Sequence, residues 1–299
     1  MPNTLVHIGI NGFLSKSISK KYNLFWIYLG CIIPDIPWIS KKFFELFVPH
    51  LNGYDLQAYL IIQATLFSSL ILSFTFSLLS KNLIRTFSIL SLGSILHLLA
   101  DSFEIKWANG VHLFAPFNWE LINFGIIWPE NTIIHLLGLA GLVFFIFNWK
   151  NIKYDNFDFF MSKSRLIYFS IMMLIYLLLP LLFQNQVYNS DNHFIKTLKN
   201  QNSRLGKYVE FDRKKIVFNE ETKSYWIASF NNDLIELENV DNLVSSKISL
   251  KGKFINNDLI NVIEYKENLG MIRDGASYIG LLLIFIFNIR IFIKNKFTN

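Results

Sequence analysis

The sequence predicts a mainly α, polytopic transmembrane helical bundle carrying a small extracytoplasmic β-rich domain, either an OB-like barrel or a sandwich. Three observations lead there. Apolar residues make up 52% of the chain and aromatics 16%, above the share of an average soluble domain. Five stretches, at residues 56–79, 84–103, 132–149, 166–183 and 278–293, approach or reach the roughly 20 apolar residues that span a bilayer. Before the last of them the composition turns polar and strand-like.

Two shorter apolar segments come first, at residues 5–19 and 24–39. The second contains Pro34 and Pro37, so a short hairpin or a half-inserted pair is expected. Neither resembles a cleavable signal, because Lys16, Lys20 and Lys21 follow the first segment instead of preceding it. Tyr28-Leu29-Gly30-Cys31 has some likeness to a lipoprotein box. Tyr28 stands where an aliphatic residue belongs, and cleavage there would delete His7, so Cys31 reads as a packed membrane cysteine.

Flanking charges set the orientation. If Lys and Arg mark cytoplasmic ends, then Lys16, Lys81, Arg85, Lys163, Arg165 and Arg290 fall at alternate ends of the seven segments. Lys41, Lys42 and Lys106 dissent. The expected location is the inner membrane, multi-pass. Residues 1–183 form a helical membrane domain, 184–275 an extracytoplasmic domain and 276–299 a C-terminal transmembrane helix. Residues 184–275 hold thirteen basic and thirteen acidic residues, which offers no basic face to nucleic acid. Strands are expected at 208–218, 225–230, 234–238, 247–255 and 259–265, separated by turns rich in Asn and Asp. The lipid bilayer is the expected partner of the helices, and a protein partner is open for the β-rich domain.

In this topology five of the six histidines, His7, His50, His97, His112 and His135, converge on one face of the membrane. His97-Leu-Leu-Ala-Asp101 is the strongest signal: an i,i+4 spacing puts both side chains on one helical face, where they can share a cation. The alternative is a histidine–aspartate hydrogen bond between helices. Pro34 disfavours helix at Ile33 and presents Asp35 at a bend, as a ligand or as a cap. His7 opens His7-Ile-Gly-Ile-Asn-Gly12, whose glycines allow close helix approach. His112 follows a turn at Asn109-Gly110, in a loop with Trp107, Phe114, Phe117 and Trp119 that suits the interface. Glu130 and His135 flank the start of residues 132–149, Glu130 reading first as an acid at a helix N-terminus. Asp55 is a further weak ligand or helix-end charge.

Leu5-Val-His7, Leu29-Gly-Cys-Ile-Ile-Pro-Asp35, His97-Leu-Leu-Ala-Asp101 and Gly110-Val-His-Leu-Phe-Ala-Pro-Phe117, in this order, resemble the membrane-bound metal-dependent hydrolases of the bacterial inner membrane. More distantly they are similar to the zinc-dependent phospholipase C group. The resemblance covers about residues 5–117 and implies His7, Asp35, His97 and Asp101 as metal-site residues. It departs after Pro34-Asp35, where the family has a His-Arg-Gly-x-Thr-His-Ser element. Here Tyr54-Asp-Leu-Gln-Ala-Tyr-Leu-Ile-Ile-Gln63 has neither histidine, and Asp55, His112 or His135 would have to substitute.

The expected function is therefore a metal-dependent hydrolase at the outer leaflet, with a lipid or lipid-linked phosphoester as substrate. The expected cofactor is a divalent metal, zinc first because His and carboxylate ligands suit it, with manganese or iron as alternatives. The cation would lower the pKa of a bound water and polarise the scissile group, with His112 and His135 as acid/base groups. The rival expectation is a non-catalytic scaffold or assembly factor with a residual structural metal site. An ion transporter is disfavoured because the polar residues cluster at one face and leave the segment interiors dry.

Overall fold

The structure is a computed structural model that describes residues 3–18, 23–48, 51–149, 159–268 and 271–297. His50 therefore lies outside the described residues. The chain opens with α1 (Thr4–Ile18) and α2 (Leu24–Ile32), which starts under an Asn23 cap whose side chain accepts the Phe25 N–H. Pro34 has no N–H to donate to a continuing helix. The backbone tightens into a 3-10 turn over Ile33–Asp35, and α3 (Ile36–Phe47) leaves in a new direction with Pro37 in its first turn.

The apolar stretch at 56–79 is not one straight helix. It divides into α4 (Gly53–Gln63) and α5 (Leu66–Ser77), bent by 68°. Thr65 is the cause: its hydroxyl accepts the Ser68 N–H and donates to the Ile62 carbonyl at 2.9 Å, ending one helix and capping the next. Next come α6 (Leu83–Phe103), α7 (Thr132–Trp149) and α8 (Lys163–Asn189), which carries Pro180 and runs on past residue 183. A short α9 (Ile195–Lys199) precedes the strands, and α10 (Met271–Phe297) closes the chain. Four of these helices (α6, α7, α8 and α10) are long and apolar enough to cross a membrane, or five spans if the bent pair α4–α5 is one. The fifth long stretch expected from the sequence is thus a broken one.

Glycine sets two of the helix crossings. A Cβ added to Gly141 on α7 would lie 1.8 Å from the Leu5 carbonyl oxygen on α1, and one on Gly93 of α6 would lie 2.9 Å from the Gly30 carbonyl carbon on α2. These contacts seat α1 against α7 and α2 against α6, so that α1 and α6 also touch. His7 and His97 meet across that contact.

The strands are β1 (Tyr208–Asn219), β2 (Ser224–Ala228), β3 (Leu234–Glu238), β4 (Lys247–Phe254) and β5 (Leu259–Glu267). They form a closed barrel in the order β1-β2-β3-β5-β4, with β3 and β5 parallel and the other neighbours antiparallel. Of the two shapes expected, it is the barrel and not the sandwich. Inward residues alternate along β4, where Ile248, Leu250, Gly252 and Phe254 are buried. The barrel core, with Val209, Phe211, Ile227 and Ile260, is continuous with Tyr54, Ala58 and Ile62 of α4 and with Ile195 and Leu198 of α9. The barrel is therefore packed onto the ends of the helices.

Polar contacts fix it there. The Tyr54 hydroxyl bonds Ser229 Oγ and Asp233 Oδ2, both at 2.9 Å, and the Gly53 N–H donates to Asn231 Oδ1. Residues 104–131 form a flap on the other side. The Ala108 N–H donates to Glu210 Oε2 at 2.6 Å, Lys266 lies 3.6 Å over the Trp128 ring, and Glu130 faces Arg213 and Lys266 at 3.6 and 3.9 Å. Glu130 thus ties the flap to the barrel.

Candidate metal centre

His7 on α1 and His97 on α6 stack with their rings parallel, 3.6 Å between centroids. His97 Nδ1 is 2.6 Å from the Cys31 carbonyl oxygen, which fixes the ring and leaves Nε2 facing Asp35 Oδ1 at 3.4 Å. His7 Nε2 faces Asp101 Oδ1 at 3.6 Å. Both histidines are almost fully buried and Asp35 and Asp101 nearly so. Ligand atoms of His7, His97 and Asp101 all lie within 4.8 Å of one another. The prolines bring Asp35 to the same place, because the 3-10 turn packs against α6.

The spacing decides what this cluster suits. A direct charge-assisted N–H···O bond would be about 2.7–2.9 Å. Two ligands each about 2.0–2.2 Å from a tetrahedral cation stand roughly 3.3–3.6 Å apart. The His–Asp separations of 3.4 and 3.6 Å fall in the second range. His7 Nε2, His97 Nε2, Asp35 Oδ1 and Asp101 Oδ1 are buried without a hydrogen-bond partner. The two imidazoles and the Asp101 carboxylate are a donor set that could hold a divalent cation, and Asp35 stands beside them at His97.

Lys106, from the flap, is 4% exposed and lies 3.4 Å from Asp101 Oδ2 and 3.6 Å from Glu104. Burial disfavours its charge, but the two carboxylates outweigh that and raise its pKa above the usual lysine value. Asp101 thus has one oxygen toward His7 and the other toward a fixed cation.

A cavity of about 360 Å³ opens beside the cluster, between the helix ends, the flap and the barrel. His97, Asp101 and Lys106 line it, as do Trp38, Gln57 and His112. His112 is buried, with Nε2 at 3.2 Å from Asn192 Nδ2 and 3.3 Å from Ser190 Oγ. Burial pushes its pKa down to about 4, so it is neutral near pH 7. His135 does not join this wall. It is exposed on the first turn of α7, one position past the buried Ile134, and does not line the cavity. Asp55 is also turned to other work, holding Lys199 and the Tyr188 hydroxyl at the start of α4.

The cavity contains residues that the sequence reading passed over: Lys41, Lys106, His193, Arg213, Lys214 and Arg273. Lys41 and Lys106 were visible as exceptions to the charge rule for membrane flanks. Compared with known protein families, with characterised proteins and with solved structures, the chain finds no match. The site must be read from its own chemistry.

Proposed function

We propose that this chain is a metal-dependent hydrolase of the cell membrane, with its site at the outer face and a phosphoester as substrate. The observation that carries the reading is the buried group of His7, His97 and Asp101, whose ligand atoms lie within 4.8 Å of one another, beside a cavity that His97 and Asp101 line and that is large enough for a small substrate. The order of the motifs that hold them, similar to the membrane-bound metal-dependent hydrolases, supports it.

His7, Asp35, His97 and Asp101 would hold the ion, zinc being the first choice for this donor set. When bound, a divalent cation supplies Lewis-acid polarisation and a water acidic enough to be deprotonated near neutral pH. The chain's own part is to position and exclude. Cys31 orients His97, Lys106 balances Asp101, and the packed barrel covers the site from bulk solvent. Of the two acid/base residues expected, His112 is the one in the cavity wall, neutral and able to donate or accept a proton.

The membrane setting rests on the apolar faces of α7 and α8, where Leu136, Phe147, Ile167 and Leu182 are more than half exposed. Phe114, Phe117, Phe124 and Ile126 of the flap are exposed as well, at the barrel end of the helices. They suit headgroup depth. Because Cys31 is the lone cysteine and is buried, Val244→Cys on the barrel gives a clean topology probe. It should be labelled from outside intact cells, and labelling only after lysis would reverse the orientation.

The deciding experiment is elemental mass spectrometry on protein purified in detergent, wild type against His97→Ala/Asp101→Ala. Near-stoichiometric metal that disappears in a folded variant supports the site, and a phosphodiesterase and phosphatase screen follows. Wild type without metal after zinc or manganese supplementation overturns it. A second reading, a scaffold whose cluster is only structural, is favoured by Lys106, which balances Asp101 with no help from a metal. Ligand substitutions then deplete the protein from the membrane instead of leaving it folded and inactive.

A further inference from the structure

One group of cavity residues has no part in holding the metal. Lys41 comes from α3, Lys214 from β1 and His193 from the turn after α8, and all three surround the ring of Phe230. The Lys214 and Lys41 ammonium groups are 4.0 and 5.7 Å from its centre, and the His193 ring is 6.0 Å away. Two like charges and an imidazole are thus gathered in a half-buried space. No carboxylate lies within ion-pair distance of Lys214 among the described residues, and Lys41 has only Gln57 at 2.8 Å and the exposed Glu45 at 3.7 Å. His193 Nε2 is buried with no hydrogen-bond partner. The other cavity cations are engaged: Lys106 with Asp101 and Glu104, Arg213 with Asp212 and Glu130, Arg273 with Asp274.

The backbone is bent to produce this arrangement. Asp191, His193 and Phe194 all have φ near +50°, in the left-handed region that costs side-chain-bearing residues about 1 kcal/mol or more each. The His193 N–H is anchored on the Ala108 carbonyl of the flap. On β1 the register shifts between Phe211 and Lys214, with Arg213 at φ +48° and its N–H held by Ser249 Oγ at 3.1 Å. A β-bulge re-aims side chains, and this one directs Asp212, Arg213 and Lys214 to the cavity. The carboxylate that the bulge brings in, Asp212, is taken up by Arg213 and Ser249, so the Lys41 and Lys214 ammonium groups and the His193 Nε2 atom remain the polar groups gathered around Phe230.

We propose that Lys41, Lys214 and His193 form a phosphate subsite, so that the cavity takes a substrate carrying a second phosphate beyond the group at the metal: an organic diphosphate or bisphosphate. Two ammonium groups and one imidazole N–H suit the three oxygens of a terminal phosphate better than the two of a carboxylate. The barrel is then part of substrate recognition, not a detached partner module. This rests on the hydrolase reading only for what happens at the metal, and anion binding itself can be tested without it.

The test is calorimetric titration of the full-length protein in detergent with inorganic phosphate. Three forms are compared: wild type, His97→Ala/Asp101→Ala, and Lys41→Met/Lys214→Met, with metal content and melting temperature measured on each. Wild type and the metal-site variant should bind phosphate, and the lysine variant should bind at least about tenfold more weakly with its metal content unchanged. If the lysine pair melts early, Lys214→Gln alone replaces it. Binding that survives loss of the lysines, or no binding by wild type, overturns the subsite. Absence of metal with phosphate binding intact would instead remove the hydrolase reading and leave the subsite standing. Nanodiscs with and without phosphatidic acid separate the sources: displacement of bound phosphate by the anionic discs assigns the subsite to a lipid phosphate, and no displacement to a soluble one.

Discussion

The His7 and His97 rings come from helices far apart in sequence, yet lie 3° from parallel and send their Nε2 atoms to different carboxylates, Asp101 and Asp35. In this crossed pairing α6 contributes to both halves of the cluster, Asp101 facing His7 of α1 and His97 facing Asp35 of the turn. A cation there would clamp α1, α6 and the Ile33–Asp35 turn together. Chelation should therefore destabilise the fold. At metal concentrations about a hundredfold above Kd, the bound ion adds about 2.7 kcal/mol to stability. Melting of the detergent-solubilised protein should fall on adding EDTA in wild type and stay unchanged in His97→Ala/Asp101→Ala.

Lys106→Met isolates the balance at Asp101. The lysine is buried against two buried carboxylates, and removing one partner of such a group costs about 3–5 kcal/mol. A divalent ion at the cluster neutralises Asp101 in its place, so added metal should narrow the difference from wild type. An equal difference with and without metal would show that the two positive charges do not share Asp101.

Much of this was legible in the sequence, and what was not has specific causes. The spacing of His97 and Asp101, the prolines around Asp35 and the glycines after His7 are local signals, and local signals report helix faces and breaks. The strand boundaries followed from alternation and Asn-rich turns. Thr65 was missed because a threonine inside an apolar run reads as one more membrane residue until its hydroxyl is seen to cap α5. The cationic wall was missed for another reason. Lys41, His193 and Lys214 sit on three distant elements, and only the docking of the barrel brings them together. Their one early trace was Lys41, among the lysines that dissent from the charge rule for membrane flanks. His135 lies outside the cavity lining because depth in the sequence fixes height along a helix but not which way a side chain faces.

The α1–α7 crossing links the fold to the site. Gly141→Ala would drive a Cβ to 1.8 Å from the Leu5 carbonyl, two residues before His7, and backbone cannot step aside as a side chain can. Overpacking of this kind costs about 1–3 kcal/mol, occasionally more. Metal content should fall along with the melting temperature. Gly12→Ala is the comparison: the nearest atoms to its Cβ belong to the Phe144 ring, a side chain and not backbone, so a smaller loss with metal retained is expected.

Acid should weaken the join between barrel and helices. Burial holds His112 at about 4, and burial with the nearby Lys214 and Lys41 holds His193 well below the ordinary value of 6.5. Once unfolded, both residues regain that ordinary value. Between pH 6.5 and about 4 the unfolded chain binds more protons than the folded one, so stability declines as pH falls through that window and is fully present above it. For His112 alone the shift amounts to roughly 3 kcal/mol. Melting temperatures measured from pH 7.5 to 4.5 should drop for wild type, and His112→Gln should flatten the slope. Its neutral amide can still meet Asn192 and Ser190 but has no proton to gain, so an unchanged slope in the variant would remove His112 from the account.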